Sequence, residues 1–147
     1  MKKLNVAVVG CGNISSIYLE NLTGRFQNVT VYAVSDLVAE KAKAQAEKYG
    51  VERIMSFDEI LMDPNVDIVL NITTPQTHYS LCKAALLAGK HVYSEKPLAT
   101  DLDKAKAAMR GKRVVFTLTL ESGDAEATAW GCDLTEEYVE INGKYTT

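Results

Sequence analysis

The sequence predicts an α/β fold built on a doubly wound parallel sheet, and three observations carry that expectation. From Met1 to about Arg110, β-type runs alternate with helical ones, the order expected of stacked βαβ units. The first run, Asn5 to Val9, is almost wholly apolar, as a strand covered on both faces requires. A glycine turn follows it directly and opens into a helical pattern. The length of 147 residues, with 47% apolar and 24% charged residues, suits one globular domain and leaves no room for a second large one.

Each element has its own signal. After the strand at Asn5 to Val9, Ile14, Ile17, Tyr18 and Leu22 recur near a 3.6 period, predicting a helix over about 14–22 with that face on the sheet. Val29 to Ser35 is the second strand, closed by Asp36. Ala39, Ala42, Ala46 and Tyr49 stripe a helix of about Val38 to Tyr49, with Gly50 as its terminating glycine. A short strand around Arg53 to Met55 and a helix of about Phe57 to Met62 lead to a buried strand at Asp67 to Ile72. Leu81, Ala84, Ala85 and Ala88 form the next helical stripe, ended by Gly89, and His91 to Ser94 resumes β character. A last helix, about Leu102 to Arg110, starts behind Asp101 as its N-cap. Beyond Gly111 the pattern changes. Val114 to Leu120 alternates with period 2, Ser122-Gly123-Asp124 is a turn, and Thr135 with Glu136 and Glu137 opens a short helix. This strand and helix are expected to complete the edge of the sheet, dividing the chain into residues 1–111 and an appended tail, 112–147.

Composition narrows the functional classes. With a net charge of −3 and dispersed Lys and Arg, the chain lacks the basic surface of a nucleic-acid binder. Cys11, Cys82 and Cys132 form neither an even disulfide set nor a metal knuckle, so no metal site is expected and a reducing, cytoplasmic setting fits. No apolar run is long enough to span a bilayer, and the N-terminus reads as a strand rather than a signal peptide.

The chemistry concentrates at the first turn. Gly10-Cys11-Gly12-Asn13-Ile14-Ser15 lies between a first strand and a first helix, where a dinucleotide fingerprint belongs, making this a Rossmann-type unit. Gly10 permits the tight turn and Gly12 the approach of backbone to a pyrophosphate, while the helix start at Asn13 and Ile14 offers free N–H groups. Ser15 stands where the third glycine serves close packing, and serine is small enough for that. Asp36 follows roughly 20 residues on, at the end of the second strand, where it either receives a ribose diol or merely caps the next turn. As a ribose partner it would repel a 2′-phosphate, giving NAD over NADP. Lys96, just past a buried strand at the carboxyl edge, is either a cation for charge developing on a substrate oxygen or a solvated lysine paired with Glu95. His78 is either a cofactor-side group or a satisfied helix-start histidine, and His91 reads as structural.

These residues carry a resemblance. The glycine turn, Asp36, Thr73-Thr74-Pro75 with His78, and above all Glu95-Lys96-Pro97 resemble the N-terminal domain of the Gfo/Idh/MocA family of nicotinamide-dependent oxidoreductases. The resemblance implies Thr74, Pro75 and His78 beside the nicotinamide ribose, Glu95 near the nicotinamide, and Lys96 as a polarising or proton-shuttling residue. It also implies a cis peptide before Pro97. Residues from about 113 to 147, with Ala127-Thr128-Ala129-Trp130-Gly131-Cys132-Asp133-Leu134-Thr135 at their centre, resemble the C-terminal end of the ornithine acetyltransferase / glutamate N-acetyltransferase family. That second resemblance implies Asn142 and Thr147 as substrate-holding positions, but the family's threonine nucleophile has no counterpart in the tail, so acetyl transfer is not expected. Trp130 and Cys132 read as packing residues.

Together these features describe an apparent chimera. The leading expectation is an NAD(H)-binding module derived from an oxidoreductase, without its substrate domain and without efficient turnover. An oxidoreductase acting on a sugar, polyol or dihydrodiol through an oligomer or partner is a second reading, and an engineered or fusion fold-test protein a third. The expected partner is the dinucleotide, with self-association through the sheet edge, and with neither nucleic acid nor membrane.

Overall fold

Alternating side chains decide the layering of the sheet. Along β1 (Leu4–Val9), Val6 and Val8 point to one face and Ala7 and Val9 to the other, and all four are buried. A strand apolar on both sides needs cover on both sides, and the chain supplies it. The computed structural model describes residues 3–101 and 103. In chain order β1 is followed by α1 (Ser15–Gly24), β2 (Val29–Ser35), α2 (Ala39–Tyr49), α3 (Phe57–Met62), β3 (Ile68–Asn71), α4 (Pro75–Leu87) and β4 (His91–Ser94). The four strands form one parallel sheet in the order β2-β1-β3-β4.

Two apolar layers result. Leu19 of α1 and Ala42 and Ala46 of α2 pack on Val6, Val8, Val34 and Leu70. Ile60 of α3 and Ala85 of α4 pack on Ala7, Val9, Ala33 and Val69 from the opposite side. Burying a valine or leucine side chain contributes about 1.5–3 kcal/mol, so these two layers hold the sheet between the helices. The strand order reverses between β1 and β3: from β1 the chain goes to β2 on one side, and from β3 to β4 on the other. Open α/β sheets bind ligands outside the carboxyl ends of their strands at such a reversal.

The predicted elements occur with shifted ends and two corrections. Gly50 ends α2 in the left-handed conformation (φ 67°), its N–H donating to the Ala46 carbonyl, as expected. The expected packing face of α1 is wrong in half its members: Ile14 and Ile17 are 45% and 61% exposed. Ser15 and Leu19 are the buried positions, with Tyr18 and Leu22 partly buried beside them, because the small Ser15 lets the helix start lie close to the sheet and rotates the isoleucines outward. The expected strand at Arg53 to Met55 shrinks to a single bridge between Val34 and Ile54. Ser56 turns the chain away at once, since its hydroxyl accepts from the Glu59 N–H while the Glu59 carboxylate accepts from the Ser56 N–H, a reciprocal cap that starts α3.

At the far end, Asp101 Oδ1 accepts from the Asp103 N–H at 2.9 Å, the bond expected of an N-cap. The expected helix to Arg110, the strand at Val114 to Leu120, the turn at Ser122-Gly123-Asp124 and the helix after Thr135 lie outside the described residues, as do Trp130, Cys132, Asn142 and Thr147.

Candidate functional site

The crevice forms where the loops after β1 and β3 meet. Gly10 has φ 103°, and a Cβ added there would lie 2.8 Å from the carbonyl carbon and oxygen of Ile72. The first loop therefore runs directly against backbone of the second, a contact that only glycine permits. Its own N–H donates to the Ser35 carbonyl at 2.8 Å, joining the turn to the end of β2.

Asp36 continues that junction. Its Oδ2 accepts from the Cys11 N–H at 2.7 Å and its Oδ1 from the Val38 N–H at 2.8 Å. It does cap the turn, then, but each carboxylate oxygen retains acceptor capacity, so capping and ribose recognition are compatible. The Cys11 thiol is buried, and this burial first and the Asp36 charge second push it up to about 11, so it remains a protonated packing group.

Gly12 is the open counterpart of Gly10. A Cβ on it would meet nothing within 4 Å. Behind it, Ser15 is fully buried and donates both its N–H and its hydroxyl to the Gly12 carbonyl, at 3.1 and 2.6 Å. The serine thus fills the close-packing role and also fastens the turn. Among the described residues the N–H groups of Gly12, Asn13 and Ile14 find no backbone acceptor, and they sit at the start of α1 with Asn13 and Ile14 exposed. Free N–H groups at a positive helix end fit a pyrophosphate.

The opposite wall is organised by a residue that sequence reasoning missed. Asn71, fully buried at the end of β3, donates through Nδ2 to the His78 carbonyl at 3.2 Å. Its Oδ1 accepts from the Thr73 hydroxyl at 2.6 Å, and its own backbone carbonyl accepts from the Glu95 N–H at 3.0 Å. The available signal was an amide inside an apolar strand, where it needs partners. Thr74 and Pro75 are exposed at the start of α4, facing the crevice end of the sheet.

His78 is 1% exposed, its Nδ1 against the Pro97 carbonyl at 2.7 Å and its Nε2 against the Thr73 carbonyl at 3.1 Å. It belongs behind the crevice wall, where it ties the loop after β3 to the loop after β4. The peptide between Lys96 and Pro97 is cis. Glu95 is not paired with the Lys96 side chain. Its Oε1 accepts from the Tyr18 hydroxyl and its Oε2 from the Lys96 backbone N–H at 3.3 Å. The Lys96 side chain is exposed and makes no ion pair among the described residues. Tyr18 was expected only as part of an apolar stripe; here it joins Ile14, Ile17, Asn21 and Glu95 around an open hollow of about 400 Å³.

The arrangement has one end suited to an adenosine ribose, a middle suited to a pyrophosphate, and a far end with a carboxylate and an ammonium. Among the described residues no helix is long and apolar enough to cross a membrane.

Comparison with known proteins agrees with this geometry. The family model described as the oxidoreductase family, NAD-binding Rossmann fold, of Gfo/Idh/MocA proteins matches residues 4–114. Myo-inositol 2-dehydrogenase of Thermotoga maritima is 38% identical over 100 residues, covering 67% of this chain and 30% of that protein. Myo-inositol dehydrogenase of Lactobacillus casei, solved with NAD(H) and myo-inositol, superposes with a TM-score of 0.70 at 28% identity, covering 73% of this chain and 32% of that one. The 3-ketoreductase KijD10 of Actinomadura kijaniata, solved with NADP, superposes with a TM-score of 0.67 at 30% identity, covering 74% and 34%. The arginine biosynthesis bifunctional protein ArgJ of Symbiobacterium thermophilum is 56% identical over 52 residues, which are 35% of this chain and 13% of that protein. The chain spans about 30% of the length of the dehydrogenase relatives it matches. From the open N–H groups after Gly10 to Glu95-Lys96-Pro97, sequence and geometry agree with the family match: the chain belongs to the Gfo/Idh/MocA oxidoreductase family and carries its NAD-binding Rossmann domain.

Proposed function

We propose that this chain is a dinucleotide-holding module that takes NAD(H) in preference to NADP(H) and turns over poorly as it stands. The carrying observation is the set of free N–H groups at Gly12, Asn13 and Ile14 beside the Asp36 carboxylate. The N–H groups would hold the pyrophosphate, and Asp36 would accept the ribose diol and repel a 2′-phosphate. Thr74 and Pro75 would border the nicotinamide ribose, with Glu95 and Lys96 beyond them. When bound, the nicotinamide supplies hydride chemistry; this chain's own part is to orient the ring and to present the Lys96 ammonium to an oxygen that gains charge. Poor turnover would follow from the exposure of Lys96, since water at the reacting end weakens both positioning and electrostatics. Calorimetric titration of the folded chain is expected to show saturable NAD binding and at least roughly tenfold weaker NADP binding. A folded sample without saturable NAD binding up to millimolar concentration would sink the reading.

A second reading, an oxidoreductase completed by another copy or a partner, is favoured by the inositol dehydrogenases among the relatives. It extends the proposal to a polyol substrate of the inositol class. NAD-linked oxidation of myo-inositol is then expected above background, and Lys96→Ala is expected to lower it by about a hundredfold, the lower end of what a positioned acid–base group contributes. Equal rates for the two proteins end this reading.

The ArgJ likeness, over 52 residues, is consistent with a segment of different origin towards the C-terminal end; the division into 1–111 and 112–147, with Asn142 and Thr147 in the second, remains part of this proposal. In the same reading the tail adds to the outer edge of β4, which pairs only with β3 among the described residues, and self-association would use that edge.

A further inference from the structure

Glu95 sits between two possible partners. On one side is the ammonium of its neighbour Lys96; on the other is Tyr18, which reaches across from α1, the helix that begins at the free N–H groups. The structure gives the carboxylate to the tyrosine: Oε1 accepts from the Tyr18 hydroxyl, and Oε2 is occupied by the Lys96 backbone N–H. The tyrosine is itself braced, its ring edge-on to Tyr93 with centroids 6.4 Å apart at 62°. Glu95 is also fixed at its backbone, where its N–H donates to the Asn71 carbonyl at 3.0 Å.

We infer that Tyr18 is a positioning residue for the Glu95-Lys96 pair, holding the Glu95 carboxylate across the hollow and away from the lysine ammonium. This rests on the reading of Lys96 as the charged group at the nicotinamide end. Without that bond the Glu95 carboxylate is free to turn out of the hollow into solvent, and α1 loses its tie to the loop after β4. Tied to Tyr18, it leaves that cation available to a substrate oxygen and fixes the separation between α1 and the loop after β4. The hydroxyl bond also protects the ionic form: it is the first cause of the Glu95 carboxyl being held below the usual range, while the same contact pushes the Tyr18 hydroxyl up. Tyr18 therefore keeps its proton and Glu95 its charge across the neutral range. A mere packing tyrosine on α1 would need no hydroxyl.

The test is Tyr18→Phe in the full chain, which keeps the ring against Tyr93 and removes the hydroxyl. The direct readout is the carbon-detected NMR titration of the Glu95 side-chain carboxyl, assigned by its loss in Glu95→Gln. The wild-type carboxyl is expected to titrate below, and the Tyr18→Phe carboxyl near, the ordinary glutamate value of about 4.3. Losing the bond raises the Glu95 pKa, so protonation sets in at higher pH in the variant. NAD affinity at neutral pH is expected to fall about threefold to tenfold in Tyr18→Phe, with no further loss in the Tyr18→Phe/Glu95→Gln double variant beyond Glu95→Gln alone. An unchanged Glu95 titration in the phenylalanine variant overturns the inference, as do independent, additive losses of affinity. Absence of NAD binding in the wild type overturns the proposed function instead, and leaves the titration to decide the Tyr18 contact separately.

Discussion

Gly10→Ala is expected to melt roughly 15 °C below the wild type and to bind no dinucleotide. The added Cβ would stand 2.8 Å from the Ile72 carbonyl and 2.9 Å from the Thr73 nitrogen, all backbone atoms that no rotamer change can move aside. At φ 103° it also forces a side chain into a conformation that L-residues avoid. Backbone strain of about 1–3 kcal/mol and overpacking of similar size combine to roughly 3–5 kcal/mol, against a total stability of about 5–15 kcal/mol. Each kcal/mol moves the midpoint of a domain of about 150 residues by roughly 2–4 °C, so a loss of this size is plain in any melting experiment. Gly12→Ala is the matched comparison. Its Cβ would meet nothing within 4 Å, so its midpoint is expected to stay within about 5 °C of wild type. NAD affinity is nevertheless expected to fall at least roughly tenfold, because that empty space is where the pyrophosphate would approach. Circular-dichroism melts and calorimetry on both variants separate the roles; equal midpoints for the two would refute the close approach at Gly10.

Asp36→Ala is expected to weaken NAD binding about a hundredfold and to narrow the preference for NAD over NADP. The carboxylate accepts from the Cys11 N–H at 2.7 Å and the Val38 N–H at 2.8 Å, so alanine loosens the turn and would also remove the proposed ribose partner. Hydrogen bonds to a charged group are worth about 1.5–3 kcal/mol, and a loss near 3 kcal/mol is about a factor of 100. Asp36→Asn separates the two contributions, since the amide retains one acceptor for the Cys11 N–H but carries no charge against a 2′-phosphate. Having lost the acceptor for the Val38 N–H, it is expected to melt several degrees below wild type, while its NADP affinity rises toward its NAD affinity, measured by parallel titrations. An asparagine variant with wild-type discrimination would show that the charge does not select the cofactor.

The sheet was legible because its logic is local: apolar runs, glycine stops and an alanine stripe each report the structure of their own neighbourhood. Val29–Ser35 and His91–Ser94 have the bounds the sequence implied, and Gly50 adopts the terminating conformation its position suggested. Where periodicity misled, at Ile14 and Ile17, a small polar residue outcompeted larger apolar ones for the buried row, and a hydrophobicity pattern cannot register that Ser15 packs closely because it is small. Spacing and motif singled out the glycine turn, Asp36 and Glu95-Lys96-Pro97, and the structure sets Gly10 against Ile72 and Asp36 against the Cys11 N–H. Asn71 and Tyr18 were not: Tyr18 acts through Glu95, 77 positions beyond it, and the Asn71 amide acts through Thr73 and His78, which only the turn from β3 into α4 brings onto it. The choice of Glu95 between Tyr18 and Lys96 likewise depends on a fold that brings α1 to the end of β4.

β3 is the shortest route between the parts of the crevice. Ile72, immediately after it, abuts Gly10, the Asn71 amide holds Thr73 in the loop after it and His78 in the first turn of α4, and the Asn71 carbonyl receives the Glu95 N–H. All three loops thus take their coordinates from four central residues, Ile68–Asn71, three of them buried. A datum line of this kind makes the spacing between phosphate end and lysine end insensitive to drift in the outer helices, and sequence change can accumulate on their solvent faces without detuning the crevice.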